Sequence, residues 1–163
     1  MRWSEFQNAA PDLARLAEER FARRGVAILG TIRKDGSPRI SAIEPVLSHD
    51  ELLLGMMWRS HKALDLVRDP RCVIHSAITN VDGSDGEAKL YGRAIERQES
   101  DEGGWRYQAF RERWEATAPD AFHVFTVEIE SAAYIAYDIG KSQMTVTQWD
   151  ARRGVRKMSR AYP

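Results

Sequence analysis

Two short segments of this chain carry the residue types that suit an anion: Arg39-Ile40-Ser41 and Arg59-Ser60-His61-Lys62. The second opens a stretch, Trp58 to Leu66, closed by Arg68-Asp69-Pro70-Arg71 and preceded by the β-rich run Leu52-Leu53-Leu54-Gly55-Met56-Met57. It reads as a strand feeding a short helix, with Ser60 as N-cap and Asp69-Pro70 as the stop. Arg59, His61 and Lys62 therefore crowd a first helical turn. Free backbone N–H groups and the helix dipole already favour an anion there. A first turn ordinarily prefers carboxylates, so basic residues fit best when a ligand brings the negative charge. In the Arg39 segment, period-two alternation puts Arg39, Ser41 and Ile43 on one strand face and Ile40, Ala42 and Glu44 on the other. Arginine offers a planar fork, lysine a point charge, and serine with the helix N–H groups neutral donors. Convergence of Arg39, Ser60 and Lys62 would make a phosphate cradle without a glycine-rich loop. The competing readings are a solvated helix start and, for Arg39, an edge-strand charge that blocks aggregation.

Composition sets the background. A chain of 163 residues suits one domain, residues 1–163, with a core of its own. Lysine plus arginine (24) balance aspartate plus glutamate (24), so no net field recruits nucleic acid or an acidic membrane. One cysteine, Cys72, rules out an internal disulfide and a cysteine-based metal cluster, and its place in a strand marks it as a buried thiol. No apolar run approaches the roughly 18–20 residues of a membrane span, and no signal-peptide core opens the chain. A cytoplasmic protein is expected.

The elements that must position the anion site follow from periodicity. Residues 1–24 read as one helical region, with Ser4 and Gln7 as a capping box, Leu13, Leu16, Ala17 and Phe21 at helical spacing, and Gly25 as its end. Strands follow over 26–32, 38–44 and 52–57, the first two joined by Asp35-Gly36, a hairpin signal. Further strands are expected over 71–79, 88–95, 122–129 and 133–137, a helix over 99–117 beginning after Gly103-Gly104, and a hairpin or tail over 143–163. Many short strands with short connections exclude a parallel α/β sheet. They predict a mainly β, α+β chain: an antiparallel split β-barrel over 26–138 with an N-terminal helix and two or three peripheral helices.

Taken together, the Asp-Gly turn, the Pro38-Arg39-x-Ser41 strand, the apolar strand and the run Arg59-Ser60-x-Lys62-Ala63-x-x-Leu66-x-x-Asp69-Pro70-Arg71 resemble the pyridoxamine 5′-phosphate oxidase-related split-barrel superfamily. The similarity covers about residues 21–97. It implies binding of FMN, or in one branch of a 5-deazaflavin coenzyme. It assigns the flavin phosphate to Arg39, Ser60 and Lys62, with His61 where the oxidases have arginine, a change that makes the charge depend on pH near neutrality. It lays the backbone of Ile40, Ser41, Ala42 and Ile43 and of Met56 and Met57 along the ring system. It also implies a homodimer with cofactor sites at the subunit interface.

The substrate is not fixed by this resemblance. No counterpart of the oxidases' Arg-x-x-x-Ser substrate motif stands in residues 99–117, and their C-terminal arginine segment is matched only loosely by Trp149 and Arg152-Arg153-Gly154. Trp149 is either core or a cover for the ring. His49, His61, His75 and His123 lack zinc-ligand spacing, and no metal site is expected. No glycosidase-type carboxylate pair and no Gly-x-Ser-x-Gly elbow is present. The expectation is an FMN-dependent oxidoreductase that moves hydride to or from a small organic substrate. Its alternatives are a deazaflavin-dependent reductase, a non-catalytic flavin- or haem-binding protein, and a true pyridoxamine phosphate oxidase. The cofactor carries the redox chemistry in such proteins, so no catalytic side chain is assigned.

Overall fold

The structure, a computed structural model, describes residues 1–161. The helices are α1 (Trp3–Ala9), α2 (Pro11–Arg24), α3 (His61–Arg68) and α4 (Trp105–Trp114). The strands are β1 (Ala27–Ile32), β2 (Pro38–Ile43), β3 (Pro45–Ser48), β4 (Glu51–Met57), β5 (Arg71–Ser76), β6 (Glu87–Arg97), β7 (Phe122–Asp138), β8 (Gln143–Asp150) and β9 (Gly154–Ala161). Among the described residues every strand pairing is antiparallel, in the order β2-β1-β5-β6-β7-β4-β3, with β8 on β7 and β9 on β8. The expected mainly β, α+β split barrel is the observed architecture. The two ends of that order, β2 and β3, are consecutive in the chain and meet at Glu44. One extended segment thus leaves β1 and joins β4, which closes the sheet around its core.

Alternation fills the interior. Leu29 of β1, Ile43 of β2, Leu52, Leu54 and Met56 of β4, Ile74, Leu90, Phe125 and Ile129 are fully or almost fully buried together. Trp3, Phe6, Leu13 and Phe21 close one end of this core from α1 and α2. Leu53, Phe122 and Val124 point the other way and bury Tyr107 and Phe110 of α4 in a second cluster. Gly55 makes that docking possible. A Cβ there would stand 2.6 Å from Phe110 and 2.7 Å from Trp114. A buried ion pair, Arg106 to Glu51 at 2.7 and 2.8 Å, ties α4 to the start of β4.

Several boundaries differ from expectation for identifiable reasons. The N-terminal helical region is two helices, because Pro11 lacks the N–H that would continue the first and instead occupies the opening of the second. Its first cap is made by Arg2 with Glu5, not by Ser4 with Gln7. Gly25 does end α2, in the left-handed region at φ +65°. The strands read at 122–129 and 133–137 are one, β7, bulged where Tyr91 faces Ser131 and Gly92 faces Ile129. Glu130 is the extra residue of that bulge. Gly92 permits it, since a Cβ would lie 2.0 Å from the Glu128 carbonyl oxygen. β3, unforeseen behind Pro45, supplies one end of the sheet.

Candidate functional site

The turn after β4 delivers the anion-binding candidates. Met57, Trp58 and Arg59 are exposed, and Arg59 has a left-handed backbone, φ +53°. Ser60 occupies the N-cap position of α3 as expected, with its carbonyl oxygen accepting from Leu64 N–H at 3.0 Å. Its side chain does not cap. Ser60 Oγ is buried and has no hydrogen-bond partner in the protein. A buried hydroxyl left without a partner costs free energy unless a ligand completes it.

Arg39 and α3 meet at Asp65. Its Oδ2 accepts from Arg39 Nε at 2.6 Å and from Thr31 Oγ1 at 3.0 Å, and its Oδ1 from Arg68 at 3.1 Å. Burial alone would raise the Asp65 pKa, but the hydrogen bonds from Arg39, Thr31 and Arg68 outweigh it and hold the carboxyl below its usual range. Asp65 thereby orients Arg39 through Nε and leaves the rest of its fork for another anion. Arg39 and His61 line one groove of about 570 Å³ together with Arg33, Lys34, Asp35, Leu64 and Arg68.

Lys62 turns elsewhere. Its ammonium donates to the Ala42 carbonyl oxygen at 2.6 Å. It lines a mainly apolar slot of about 380 Å³ with Ala42, Ile43, Gly55, Met56, Met57 and Trp114, while Val26, Glu44, Thr117 and Pro119 complete the wall. Burial lowers the Lys62 pKa, and Glu44 acts in the opposite sense. Trp114 is fixed in the wall by a 3.3 Å hydrogen bond from its indole N–H to Glu44.

The expected residues therefore divide between two cavities. Arg39 and His61 line the basic groove, and Ala42, Ile43, Met56, Met57 and Lys62 line the apolar slot. The expected joint action of Arg39 with Lys62 on one group is not built into this arrangement. Consecutive residues His61 and Lys62 serve different cavities, and β2 borders both through Arg39 and Ala42. Ser41 is half-buried on the Arg39 face, whereas Ile40 is 75% exposed on the opposite face. Trp149 covers neither cavity. It is buried against Phe6 with ring centroids 5.1 Å apart, on the core side under α1, so of its two sequence readings the structure gives core.

Sequence reasoning passed over Asp65, Arg68, Glu44 and Trp114. The first two were recoverable, since His61, Asp65 and Arg68 stand at i, i+4 and i+7 and share one helix face. Trp114 reaches the slot only through the packing of α4 on Gly55, which no local pattern encodes. Among the described residues no cluster of histidine, cysteine and carboxylates could hold a metal ion. No helix among the described residues is long and apolar enough to cross a membrane.

No protein-family model matches the sequence, and no curated protein matches it. Solved structures do. PhzG from Burkholderia lata, in complex with tetrahydrophenazine-1-carboxylic acid, superposes with a TM-score of 0.63 at 13% identity, over 90% of this chain and 88% of that one. A pyridoxamine 5′-phosphate oxidase-related, FMN-binding protein from Nostoc punctiforme gives 0.62 at 12% identity, over 94% and 96%. A haem-binding protein from Mycobacterium smegmatis gives 0.55 at 12% identity, over 90% and 88%. The chain shares the split-barrel fold of these proteins.

Proposed function

We propose that this protein binds FMN and uses it to exchange hydride with a small organic substrate. The observation that carries the reading is the pairing of the two cavities across one strand and one helix start. The basic groove suits a phosphate, with Arg39 preset by Asp65, and Ser60, the residue before His61 of the groove wall, has a buried hydroxyl with no partner in the protein. The apolar slot suits a ring system, and one elongated ligand lying along Ile40 to Ile43 reaches both. Bound flavin would supply the redox chemistry. The chain's own residues bind and orient: Arg39, Ser60 and His61 at the anionic end, and Ala42, Ile43, Met56 and Met57 at the apolar end. Trp114, held by Glu44, forms part of the slot wall. A solved FMN-binding protein of the same fold supports the choice of cofactor. PhzG, solved with a polycyclic carboxylic acid, supports a reaction with a small organic molecule.

Two further readings rest on particular observations. Arg33 and Lys34 extend the groove beyond Arg39 and favour a deazaflavin coenzyme with a longer anionic tail. Haem-binding proteins share the fold, but no histidine lines the apolar slot, which favours a flavin. The absorption spectrum of the purified protein separates the three, with flavin near 450 nm, deazaflavin near 420 nm and haem a sharp Soret band, all roughly placed. In titrations of the protein freed of cofactor, FMN is expected to bind more tightly than riboflavin, and reduction followed by reoxidation with an organic acceptor to show turnover. Equal affinity for FMN and riboflavin, or binding of neither, overturns the proposal.

A further inference from the structure

His123 of β7 sits beneath the turn that leads into α3, opposite Met56 of β4 in the sheet register, and is 5% exposed. Four groups surround its ring, one of them Phe125 of the same strand with centroids 6.0 Å apart. The backbone N–H of Arg59 donates to Nε2 at 3.1 Å. Nδ1 lies 2.5 Å from a carboxylate oxygen of Glu96 on β6. Trp58 stacks on one face, with centroids 4.5 Å apart and planes 11° from parallel.

These contacts fix the proton. A backbone N–H can only donate, so Nε2 must carry a free lone pair. Nδ1 then bears the hydrogen and donates it to Glu96. The carboxylate on β6 thus selects the tautomer whose other nitrogen can accept from the turn. That turn needs an anchor. Arg59 is a non-glycine residue at φ +53°, a sparsely populated conformation that persists only where its surroundings impose it. The next residue is Ser60, whose N–H closes the turn onto the Met57 carbonyl oxygen at 3.1 Å and whose hydroxyl is the unpartnered group of the anion site.

We infer that His123, held by Glu96, is a positioning residue for the anion-binding turn: it fixes the Arg59 peptide and so sets where Ser60 and the start of α3 meet a ligand phosphate. The inference rests on the proposed flavin site for its ligand, but not for its geometry.

The glutamine and asparagine variants separate position from bulk. A glutamine side chain places its terminal amide about where Nε2 stands and can accept from Arg59 N–H. An asparagine places its amide about where Nδ1 stands and cannot. His123→Phe keeps the flat ring against Trp58 and removes both nitrogens. In the protein without cofactor, nitrogen NMR is expected to find the His123 proton on Nδ1. Exchange of the Arg59 amide hydrogen is expected to accelerate in His123→Asn and His123→Phe and to stay slow in His123→Gln. In titrations, the asparagine and phenylalanine variants should bind FMN about tenfold more weakly, with riboflavin affinity within about twofold of wild type, and the glutamine variant should recover most of the loss. A proton on Nε2, or Arg59 exchange equally fast in the glutamine and asparagine variants, overturns the positioning role whatever flavin does. If the exchange pattern holds while FMN and riboflavin weaken together, the turn does not serve the phosphate and the inference fails at its ligand. Failure of the flavin reading itself has a different mark, in that wild type would then show no preference for FMN.

Discussion

At the scale of single residues, the division of labour between Arg39 and Lys62 gives the sharpest test. Arg39 stands in the basic groove with one N–H spent on Asp65, so Arg39→Ala should weaken FMN by about 1.5–3 kcal/mol, the range for a charged hydrogen bond, and leave riboflavin nearly unchanged. Lys62 stands in the slot on the Ala42 carbonyl, so Lys62→Met should change FMN and riboflavin by the same factor. Parallel titrations of both flavins check this, and a selective loss of FMN in Lys62→Met would return the lysine to the phosphate. Cys72 makes a simpler prediction. Burial, with Glu130 adding to it, pushes its thiol up to about 12, so alkylation near neutral pH should be far slower than for a free thiol until the protein unfolds. What is legible at this scale is residue type and local setting: Arg39 on a strand, and Ser60 and His61 at a helix start, were readable as candidates for an anion. What was not legible is direction. Two adjacent residues of a first helical turn diverge by about 100°, and only the packed strands decide which cavity each one meets.

Elements set the shape of the slot, and α4 is the one whose placement the sequence hid. Its docking depends on the missing side chain at Gly55 and on the buried Arg106–Glu51 pair. Gly55→Ala must displace Phe110 and Trp114 and should cost about 1–3 kcal/mol, read by denaturant melts, together with a loss of flavin affinity because Trp114 walls the slot. Glu51→Gln leaves the buried guanidinium with only the exposed Glu102 carboxylate, 3.0 Å away, as its counter-charge and should cost about 3 kcal/mol at neutral pH. The hydrogen bond from Arg106 is the chief cause that holds the Glu51 carboxyl below its usual range, against the opposing effect of burial. A depressed folded-state pKa contributes stability that is present above the unfolded value, about 4.3, and lost as pH falls through the folded value. The stability gap between wild type and Glu51→Gln should therefore persist at pH 6 and shrink below about pH 4. The hairpin at Asp35-Gly36, the end of α2 at Gly25 and the strand entering α3 were readable, since each is fixed by local turn or cap chemistry. The bulge in β7 and the strand behind Pro45 were not, because each owes its form to a partner strand distant in sequence.

At the scale of the whole molecule, one row of the sheet's outer face is left partly open to solvent among the described residues. Ile40 of β2 faces Gly30 of β1, Gly30 faces Val73 of β5, and Val73 faces Tyr91 of β6, a continuous row on the outer side of the barrel. Ile40 is 75% exposed and Tyr91 43%, and Ile28 and Val73 beside them are half-buried. Apolar side chains left uncovered along such a row suit a partner surface. Its occupant, on our reading, is a second copy of the chain. The row includes Ile40, which lies on the segment proposed to run beside the flavin ring, so a partner seated there would also enclose the cofactor. Dimerisation and cofactor binding are then linked, and each must strengthen the other by the same factor. Light scattering over a dilution series should show a dimer whose dissociation shifts to lower protein concentration when FMN is added. Ile40→Asp places a charge at the β2 end of the apolar row, on its most exposed member. It should yield a monomer that stays folded, because the side chain is outside the core, and that binds FMN more weakly although no residue of the anion groove has changed. A monomer of wild-type chain that binds one flavin tightly would detach the site from the interface, and the exposed row would then belong to a different partner.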